Sequence, residues 1–209
     1  MNDSNNTIAK DLESTVLSQT ILRKIEEGNQ LALSFFREHA DRLQSLALVM
    51  SNRFQKGGRL LVMGNGGSAC DAEHVVTEFM HPIFAKRRPL PAICLSSNMS
   101  LITAVANDLD YSRIFANQIL QLANPQDMVL AISTSGMSAN LVSALSESQR
   151  LGLTTIVFAG KDGGRTKDFA DWDFTVHSYS IHRIQEVHVR LLHLLWDLVH
   201  IQLGEDDIV

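Results

Sequence analysis

Two pairs of polar residues on predicted helices carry the side chains best suited to chemistry. His74 and Glu78 are four residues apart, so a helix places them on one face. Gln185 and His193 are eight residues apart on a later, mostly apolar helix, about 80° around its axis, and can converge on one site. If the four side chains meet, they form a nitrogen and oxygen site suited to zinc or a similar divalent ion. A carboxylate and an imidazole there could also transfer protons.

Each pair also has an ordinary structural interpretation. His74 and Glu78 alone are typical of a solvated helix surface. Gln185 and His193 could instead be core polar groups bonded to backbone atoms, because polar groups on so apolar a helix need buried partners. His188 lies about 140° from His193 around the helix, so we expect it to serve a different role.

Two loops rich in glycine or hydroxyl groups are candidates for anion binding. The first loop, residues 64–68, has the sequence Gly-Asn-Gly-Gly-Ser and separates a predicted strand from a predicted helix. Glycine lets the backbone approach a ligand closely, and the start of a helix offers unpaired N–H groups. The second loop, residues 133–138, has the sequence Ser-Thr-Ser-Gly-Met-Ser and the same placement. We expect a phosphate group in the second loop and a phosphate or sugar oxygen in the first.

Alternatives exist for both loops. The first could be an ordinary turn that needs glycine only for its geometry, and in the second Ser138 could be a plain helix cap. Gly64, Gly66 and Ala69 also match G-x-G-x-x-A, a dinucleotide-binding pattern. That match is weak, because the next predicted strand ends in Cys-Leu-Ser-Ser, without an acid to bind a ribose hydroxyl.

The elements that must position these residues alternate between short apolar strands and helices. Strands so apolar are typical of a parallel sheet that is buried on both faces. The alternation predicts an α/β fold, a three-layer, doubly wound parallel sheet, in which both loops lie near one crevice at the carboxyl ends of the strands. We predict strands at residues 59–63, 91–95, 128–132, 154–159 and 174–176, and helices at 68–80, 100–106, 111–122, 138–151 and 182–203.

The N-terminal region is predicted to be a helical segment, residues 1–56, preceding one folded domain, residues 57–209. Residues 1–10 are polar and are interpreted as a frayed tail. The helical pattern at 12–55 is too long for one ordinary helix, so we predict two, with a break near residues 38–41. The last helix is apolar on nearly every side, which indicates burial in the domain or between subunits and favours an oligomer.

Composition excludes several classes of protein. The chain has 209 residues, 18 Lys and Arg, 23 Asp and Glu, and a formal charge of −5. This mild acidity argues against a nucleic-acid-binding module. The two cysteines, Cys70 and Cys94, imply no disulfide framework and fit a cytoplasmic setting. The sequence has neither an apolar signal core nor an apolar run long enough to span a membrane, so secreted and membrane proteins are not expected.

Five segments together resemble one known family, in one order between Gly57 and Leu203. They are GNGGSACDAEHVVTE at residues 64–78, Ala-Asn-Asp at 106–108, STSGMSAN at 133–140, Gly-Lys-Asp-Gly-Gly at 160–164, and RIQEVH at 183–188 followed by His193. The chain thereby resembles the bacterial phosphoheptose isomerases, which are sedoheptulose-7-phosphate isomerases of the sugar isomerase (SIS) domain superfamily.

The resemblance implies a flavodoxin-like SIS fold with N-terminal helices, and a cytoplasmic homotetramer with active sites at subunit interfaces. It implies conversion of sedoheptulose 7-phosphate to D-glycero-D-manno-heptose 7-phosphate through an enediol, for nucleotide-heptose and lipopolysaccharide synthesis. One zinc ion per subunit would be bound by His74, Glu78, Gln185 and His193, with Glu78 as the base and His193 as its acid partner. The implied substrate contacts are Asn65, Gly66, Gly67, Ser68, Glu78, Asn107, Asp108, Ser133, Thr134, Ser135, Ser138 and Gln185.

The sequence also departs from the family pattern. A sister family that binds a replication-initiator protein lacks the carboxylate and the last-helix histidine, and both are present here. A non-catalytic SIS module that binds a sugar phosphate or a protein partner is nevertheless the alternative. It is favoured by residues 79–84, which are one residue longer than usual and lack the arginine that could contact the sugar phosphate. Met137 replaces a usual Asn, and Lys86, Arg87 or Arg88 are the candidate replacements for the arginine.

Overall fold

Five parallel strands form the centre of the protein, described by a computed structural model over residues 2–84 and 86–207, with side chains from Thr15 onward. The strands pair in the order β2-β1-β3-β4-β5, every neighbouring pair parallel. This arrangement confirms the predicted α/β class. The strands are β1 Leu60–Gly64, β2 Ala92–Cys94, β3 Met128–Ser133, β4 Thr154–Gly160 and β5 Trp172–Val176.

Helices cover both faces of the sheet. On one face, a core cluster joins alternate residues of β1 and β3, such as Leu61 and Val129, to Phe115 and Leu141 of the helices above them. On the other face, two helices, α2 and α6, pack against each other and the sheet. The helices are α1 Asn2–Gln55, α2 Gly67–Met80, α3 Met99–Asp108, α4 Ile114–Leu122, α5 Ala139–Arg150 and α6 Ile181–Gln202, with short 3-10 helices at Tyr111–Arg113 and Thr166–Phe169.

The order of the strands creates a crevice between β1 and β3. The chain leaves β1 through α2 to reach β2 on one side of β1, and it later enters β3 on the other side. Doubly wound sheets bind ligands where the strand order reverses in this way, at the carboxyl ends of the strands. Gly64 lies beside Ile132 in the register of β1 and β3, so both predicted anion-binding loops begin at that edge.

The N-terminal region is one continuous helix, α1, and the predicted break near residues 38–41 is wrong. These residues, Glu-His-Ala-Asp, include no glycine or proline, so nothing interrupts the backbone hydrogen bonds of the helix there. Residues 2–10 of the predicted polar tail are also helical, while Met1 lies outside the described residues.

The residue contacts divide the chain into two compact units, Met1–Glu38 and His39–Val209, and the second unit contains the sheet. The predicted boundary between residues 56 and 57 stays a prediction.

One face of the last helix, nine of its 22 residues, is buried inside the second unit. Leu191, Leu195 and Val199 of α6 are fully or almost fully buried, whereas His193 and Leu194 are exposed. The apolar pattern of α6 is therefore explained largely by packing within this unit. Among the described residues, no helix combines the length and the apolar character that crossing a bilayer requires.

Candidate active site

Three of the four predicted metal ligands meet where α2 packs against α6. The Nε2 atoms of His74 and His193 are 3.2 Å apart, and His74 Nε2 lies 3.4 Å from Glu78 Oε1. One ligand atom of each of the three residues lies within 4.8 Å of the others. The helical spacing of His74 and Glu78 places both on the side of α2 that faces α6. We call His74, Glu78 and His193 the imidazole–carboxylate cluster.

Gln185 lies two turns before His193 and packs on the first loop. A Cβ atom added to Gly67 would lie 2.5 Å from Gln185 Nε2, so the amide occupies the space above this glycine. Gln185 is partly buried. The contact between α2 and α6 thus places Gln185 at the start of α2 and the imidazole–carboxylate cluster farther along the same helix pair.

The electrostatic environment of His193 favours its neutral form. Partial desolvation of the His193 ring against α2 is the main cause that lowers the pKa of His193, His74 lowers it further, and the Glu78 carboxylate opposes both effects. A neutral imidazole is the form that binds a metal ion. Two imidazole nitrogens and a carboxylate oxygen at these separations are a donor set that fits zinc or a similar divalent ion.

The first loop needs glycine for its shape. Gly66 has a φ of 56°, a conformation that favours glycine, and a Cβ on Gly64 would collide with the carbonyl group of Ser68. The Ser96 hydroxyl accepts a hydrogen bond from the Gly64 N–H at 3.1 Å and donates one to the Gly64 carbonyl at 2.8 Å. The loop is therefore held tightly, with the start of α2 directed at the crevice.

The second loop is organised by its own hydroxyl groups. Ser133 Oγ accepts a hydrogen bond from the Gly136 N–H at 3.0 Å, and Ser135 Oγ accepts one from the Met137 N–H at 3.3 Å. Ser138 lies at the start of α5, where its side chain makes no capping hydrogen bond. Ser138 is therefore the N-cap residue of α5 by position, but its hydroxyl group does not cap the helix. Thr134 is partly buried within the same loop.

The Gly-Lys-Asp-Gly-Gly turn supports the second loop from behind. Gly136 has a φ of 64°, and a Cβ there would collide with the Gly163 carbonyl. The Thr166 N–H donates a hydrogen bond of 2.9 Å to the Gly136 carbonyl. The turn and the loop are thus packed backbone against backbone.

Asn107 and Asp108 end α3 and are both exposed. Asn107 Nδ2 donates a hydrogen bond to Asp108 Oδ1 at 2.9 Å. Tyr111, in the 3-10 helix that follows, donates through its hydroxyl to Asn65 Oδ1 at 3.2 Å. This contact joins the segment around Asn107 to the first loop.

Three residues of this region were missed by sequence reasoning. Asn140 and Tyr111 both bond to Asn65. Asp71 lies one turn before His74, and burial raises its pKa while His74 opposes the rise; its Oδ2 atom is buried without a hydrogen-bond partner. The spacing of Asp71 and His74, three residues, was the available signal for that pair. Nothing in the spacing of Asn65, Tyr111 and Asn140 indicates that they meet.

The segment that departs from the family pattern is attached to the end of α6. Arg87 is buried, pairs with Asp197, and lies over the Trp196 ring at 4.4 Å. Arg88 Nε donates to Glu205 Oε1 at 2.9 Å. Both guanidinium groups are therefore engaged with the C-terminal segment, whereas the third candidate replacement, Lys86, is exposed.

His188 is separate from the cluster, as its position on the helix predicts. It is fully buried and its Nε2 atom lies 3.0 Å from the Ala159 carbonyl, so Nε2 carries the proton. Burial lowers the pKa of His188 to about 4, and the hydrogen bond to Ala159 opposes the shift only in part. His188 is thus a neutral residue that anchors α6 to β4.

Comparison with known proteins gives a consistent family. The family model of the SIS domain matches residues 25–160. The phosphoheptose isomerase of Thermodesulfovibrio yellowstonii is 39% identical over 183 residues, 88% of this chain and 91% of that protein. The phosphoheptose isomerase of Geobacter sulfurreducens is 41% identical over 179 residues, 86% and 95% of the two chains.

Solved structures agree. A phosphoheptose isomerase from Francisella tularensis superimposes with a TM-score of 0.83 at 33% identity, covering 87% of this chain and 97% of that one. The phosphoheptose isomerase from Neisseria gonorrhoeae has a TM-score of 0.81 at 28% identity, covering 88% and 98%. With similarity of this extent in both sequence and fold, the chain belongs to the SIS domain family and, within it, to the phosphoheptose isomerases.

Proposed function

We propose that the protein is an aldose–ketose isomerase that converts sedoheptulose 7-phosphate to D-glycero-D-manno-heptose 7-phosphate. The observation that carries the proposal is the imidazole–carboxylate cluster, which brings the base Glu78 of α2 next to its acid partner His193 of α6. The family of the chain and its phosphoheptose isomerase relatives support the substrate. In a cell the product would enter nucleotide-heptose and envelope-glycan synthesis, in the cytoplasm.

The reaction moves one proton between neighbouring carbons. Glu78 removes a proton from C1 of the open-chain ketose while His193 donates its N–H to the C2 carbonyl oxygen, which yields an enediol. Glu78 then returns the proton to C2, and the proton of the C1 hydroxyl group passes to His193, which leaves the C1 aldehyde and restores the N–H of His193. His74 lies beside both groups, with its Nε2 atom 3.2 Å from His193 Nε2 and 3.4 Å from Glu78 Oε1, and holds them in position.

A divalent ion fits the same residues. His74, Glu78, Gln185 and His193 would bind it, with one ion per subunit and zinc as the expected metal. When bound, the ion supplies Lewis-acid stabilisation of negative charge on the substrate oxygens.

The two loops bind the rest of the substrate in this proposal. The hydroxyl groups of Ser133, Thr134, Ser135 and Ser138 and the N–H groups at the start of α5 hold the phosphate. The first loop, with Asn65, Gly66, Gly67 and Ser68, and the Asn107–Asp108 pair contact the sugar hydroxyls.

A homotetramer is part of the proposal, with active sites at subunit interfaces. Leu17, Ile21 and Ile25 lie four residues apart along α1 and are 64%, 60% and 56% exposed in the isolated chain. An exposed apolar stripe of this kind is typical of an interface. We expect light scattering at micromolar protein concentration to give four times the 23.2 kDa chain mass. A monomeric mass would contradict the assembly.

The direct test of the function is incubation with sedoheptulose 7-phosphate in deuterated water. We expect an aldose 7-phosphate product that carries deuterium at C2, because the transferred proton passes through a carboxyl group that exchanges with solvent. Product without deuterium would contradict transfer of the proton through a carboxyl group that exchanges with solvent. Binding with neither product nor exchange would favour the non-catalytic alternative.

Ser135→Ala tests the phosphate site. The substitution removes one hydroxyl of the second loop, and we expect KM to rise about tenfold with kcat nearly unchanged, because the phosphate is held alike in the ground and transition states. Steady-state kinetics measure both constants. Ser143→Ala is the control, because it removes a serine hydroxyl from α5 beyond the second loop. If phosphate-free sedoheptulose reacted as fast as the phosphate ester, the assignment would be wrong.

Metal content tests the ligand set. We expect one zinc ion per chain by elemental analysis after incubation with zinc and removal of excess, and loss of activity with a chelator that zinc restores. His74→Ala is expected to lose the ion. In a crystal with bound zinc, a separation above about 4 Å between the ion and these side chains would contradict the prediction, since Zn–N and Zn–O bonds are about 2.0–2.2 Å.

A further inference from the structure

Two asparagine side chains connect the first loop to the helix that follows the second loop. Asn65 Nδ2 donates to Asn140 Oδ1 at 3.0 Å, and Asn140 Nδ2 donates to Asn65 Oδ1 at 2.8 Å. Asn140 is buried, at 2% exposure, near the start of α5. The reciprocal pair spans 75 residues of sequence and fixes the two proposed substrate-binding loops relative to each other.

The orientation of both amides follows from a third hydrogen bond. The backbone N–H of Leu141 donates to Asn140 at 2.9 Å. Because an N–H can only donate, the atom that it meets is Oδ1, and Asn140 must present Nδ2 to the oxygen of Asn65. The Leu141 N–H, which also donates to the Ser138 carbonyl at 3.1 Å, thus favours this arrangement of the reciprocal pair.

The Tyr111 hydroxyl completes the set of partners of Asn65. It donates to Asn65 Oδ1 at 3.2 Å, so this oxygen accepts two hydrogen bonds, which occupy both of its lone pairs. Asn65 Nδ2 has two hydrogens, of which one is donated to Asn140. The group that Asn65 keeps for a ligand is thus a single N–H donor.

We propose that Asn140 and Tyr111 are positioning residues that hold Asn65 as a fixed N–H donor for an oxygen of the bound sugar phosphate. This inference rests on the proposed function of the two loops. Without the two partners, the Asn65 side chain can rotate and present either its oxygen or its nitrogen, and the substrate must then immobilise it on binding. Because Tyr111 lies three residues after Asp108, the same contact aligns the Asn107–Asp108 segment with the first loop.

Tyr111→Phe is the primary variant, since it removes only the hydroxyl of an exposed ring. One neutral hydrogen bond corresponds to about a fivefold change in an equilibrium constant, so we expect KM to rise about fivefold with kcat within about twofold. The unfolding midpoint should not change. Tyr179→Phe, at the other tyrosine of the chain, is the matched control and should leave KM unchanged. An unchanged KM in Tyr111→Phe would overturn the role of Tyr111.

Asn140→Asp tests the buried partner with a side chain of the same size. The carboxylate still accepts from Leu141 but cannot donate to Asn65 Oδ1, so we expect KM to rise tenfold or more. The decisive readout is coupling: in an Asn65→Ala background, Tyr111→Phe and Asn140→Asp should produce no further change in KM. Full additivity would show that the two residues act on structure alone and would overturn the proposal.

The wild-type reaction separates this inference from the proposed function. If the wild-type protein binds sedoheptulose 7-phosphate in a calorimeter without converting it, the proposed isomerase activity fails. Dissociation constants of the same variants, Tyr111→Phe and Asn140→Asp with and without Asn65→Ala, then support or overturn the positioning of Asn65. If the wild-type protein does not bind the sugar phosphate at all, both the proposed function and this inference are overturned.

Discussion

Glu78→Gln is expected to lower kcat for sedoheptulose 7-phosphate by about 10²–10⁴-fold. The substitution keeps the size and most of the hydrogen bonding of the side chain but removes the base, and general acid–base catalysis contributes a factor of that order. Glu78 is partly buried, with Oε1 3.4 Å from His74 Nε2. A neutral amide of the same size fits this site, so we expect the variant to remain folded. The measurement is steady-state turnover together with deuterium exchange, which should fall by the same factor.

The experiment needs a metal measurement and a matched control. Because Glu78 is also a proposed metal ligand, the zinc content of the variant must be determined, and its activity measured again with added zinc. Glu73→Gln is the control, an exposed glutamate on the same helix, and it should keep wild-type kcat. If zinc-loaded Glu78→Gln retained near-wild-type turnover, Glu78 would not be the base.

His193→Asn is expected to be similarly inactive, with kcat lowered by about 10²–10⁴-fold. Asparagine removes both an imidazole ligand and the acid partner, although it can still hydrogen-bond between α2 and α6. His193 is at the surface of α6, so the loss of its ring should leave the fold and the unfolding midpoint close to those of the wild type. Turnover and circular dichroism, measured on the same preparation, test both statements.

The control for His193 lies on the same helix. His182→Asn changes an exposed histidine in the first turn of α6 and should keep both zinc and activity. His193→Asn should bind less zinc than the wild type, because one imidazole donor is lost. An active, zinc-loaded His193→Asn protein would contradict its assignment as ligand and as acid partner.

Local patterns in the sequence were sufficient for the framework of the protein. The runs that become β1, β3 and β4 are buried at every position, and their mainly apolar character is typical of a parallel sheet covered on both faces. Glycine in the first loop and hydroxyl groups in the second indicated where ligands could bind, because both loops had to end at the same edge of such a sheet.

The cluster could be predicted only in part. The spacing of His74 and Glu78 is local to one helix and follows from its periodicity. That His193 joins them depends on how α6 packs on α2, which no local pattern specifies; the prediction relied on the family resemblance and on the helical angle between Gln185 and His193. The helical angle between His188 and His193 correctly predicted that His188 lies apart from the cluster.

The N-terminal helix was predicted incorrectly from its length. Its length argued for two helices, but length alone does not interrupt a helix; an interruption needs a residue that breaks the backbone hydrogen bonds, and residues 38–41 contain none. Arg87 and Arg88 were considered as phosphate ligands from charge alone. Their partners, Asp197 and Glu205, are more than 100 residues away, and only the fold brings them together.

By itself, the sequence determined the strands, most of the helices, the two loops and the side chains available for catalysis, because each of these depends on residues that are neighbours along the chain. Tertiary structure decided which of those side chains touch. The bonds from Asn65 to Asn140 and Tyr111 join residues 75 and 46 positions apart. Contacts between residues so far apart are set by the packing of helices on a closed core, where shape complementarity over many side chains selects one arrangement.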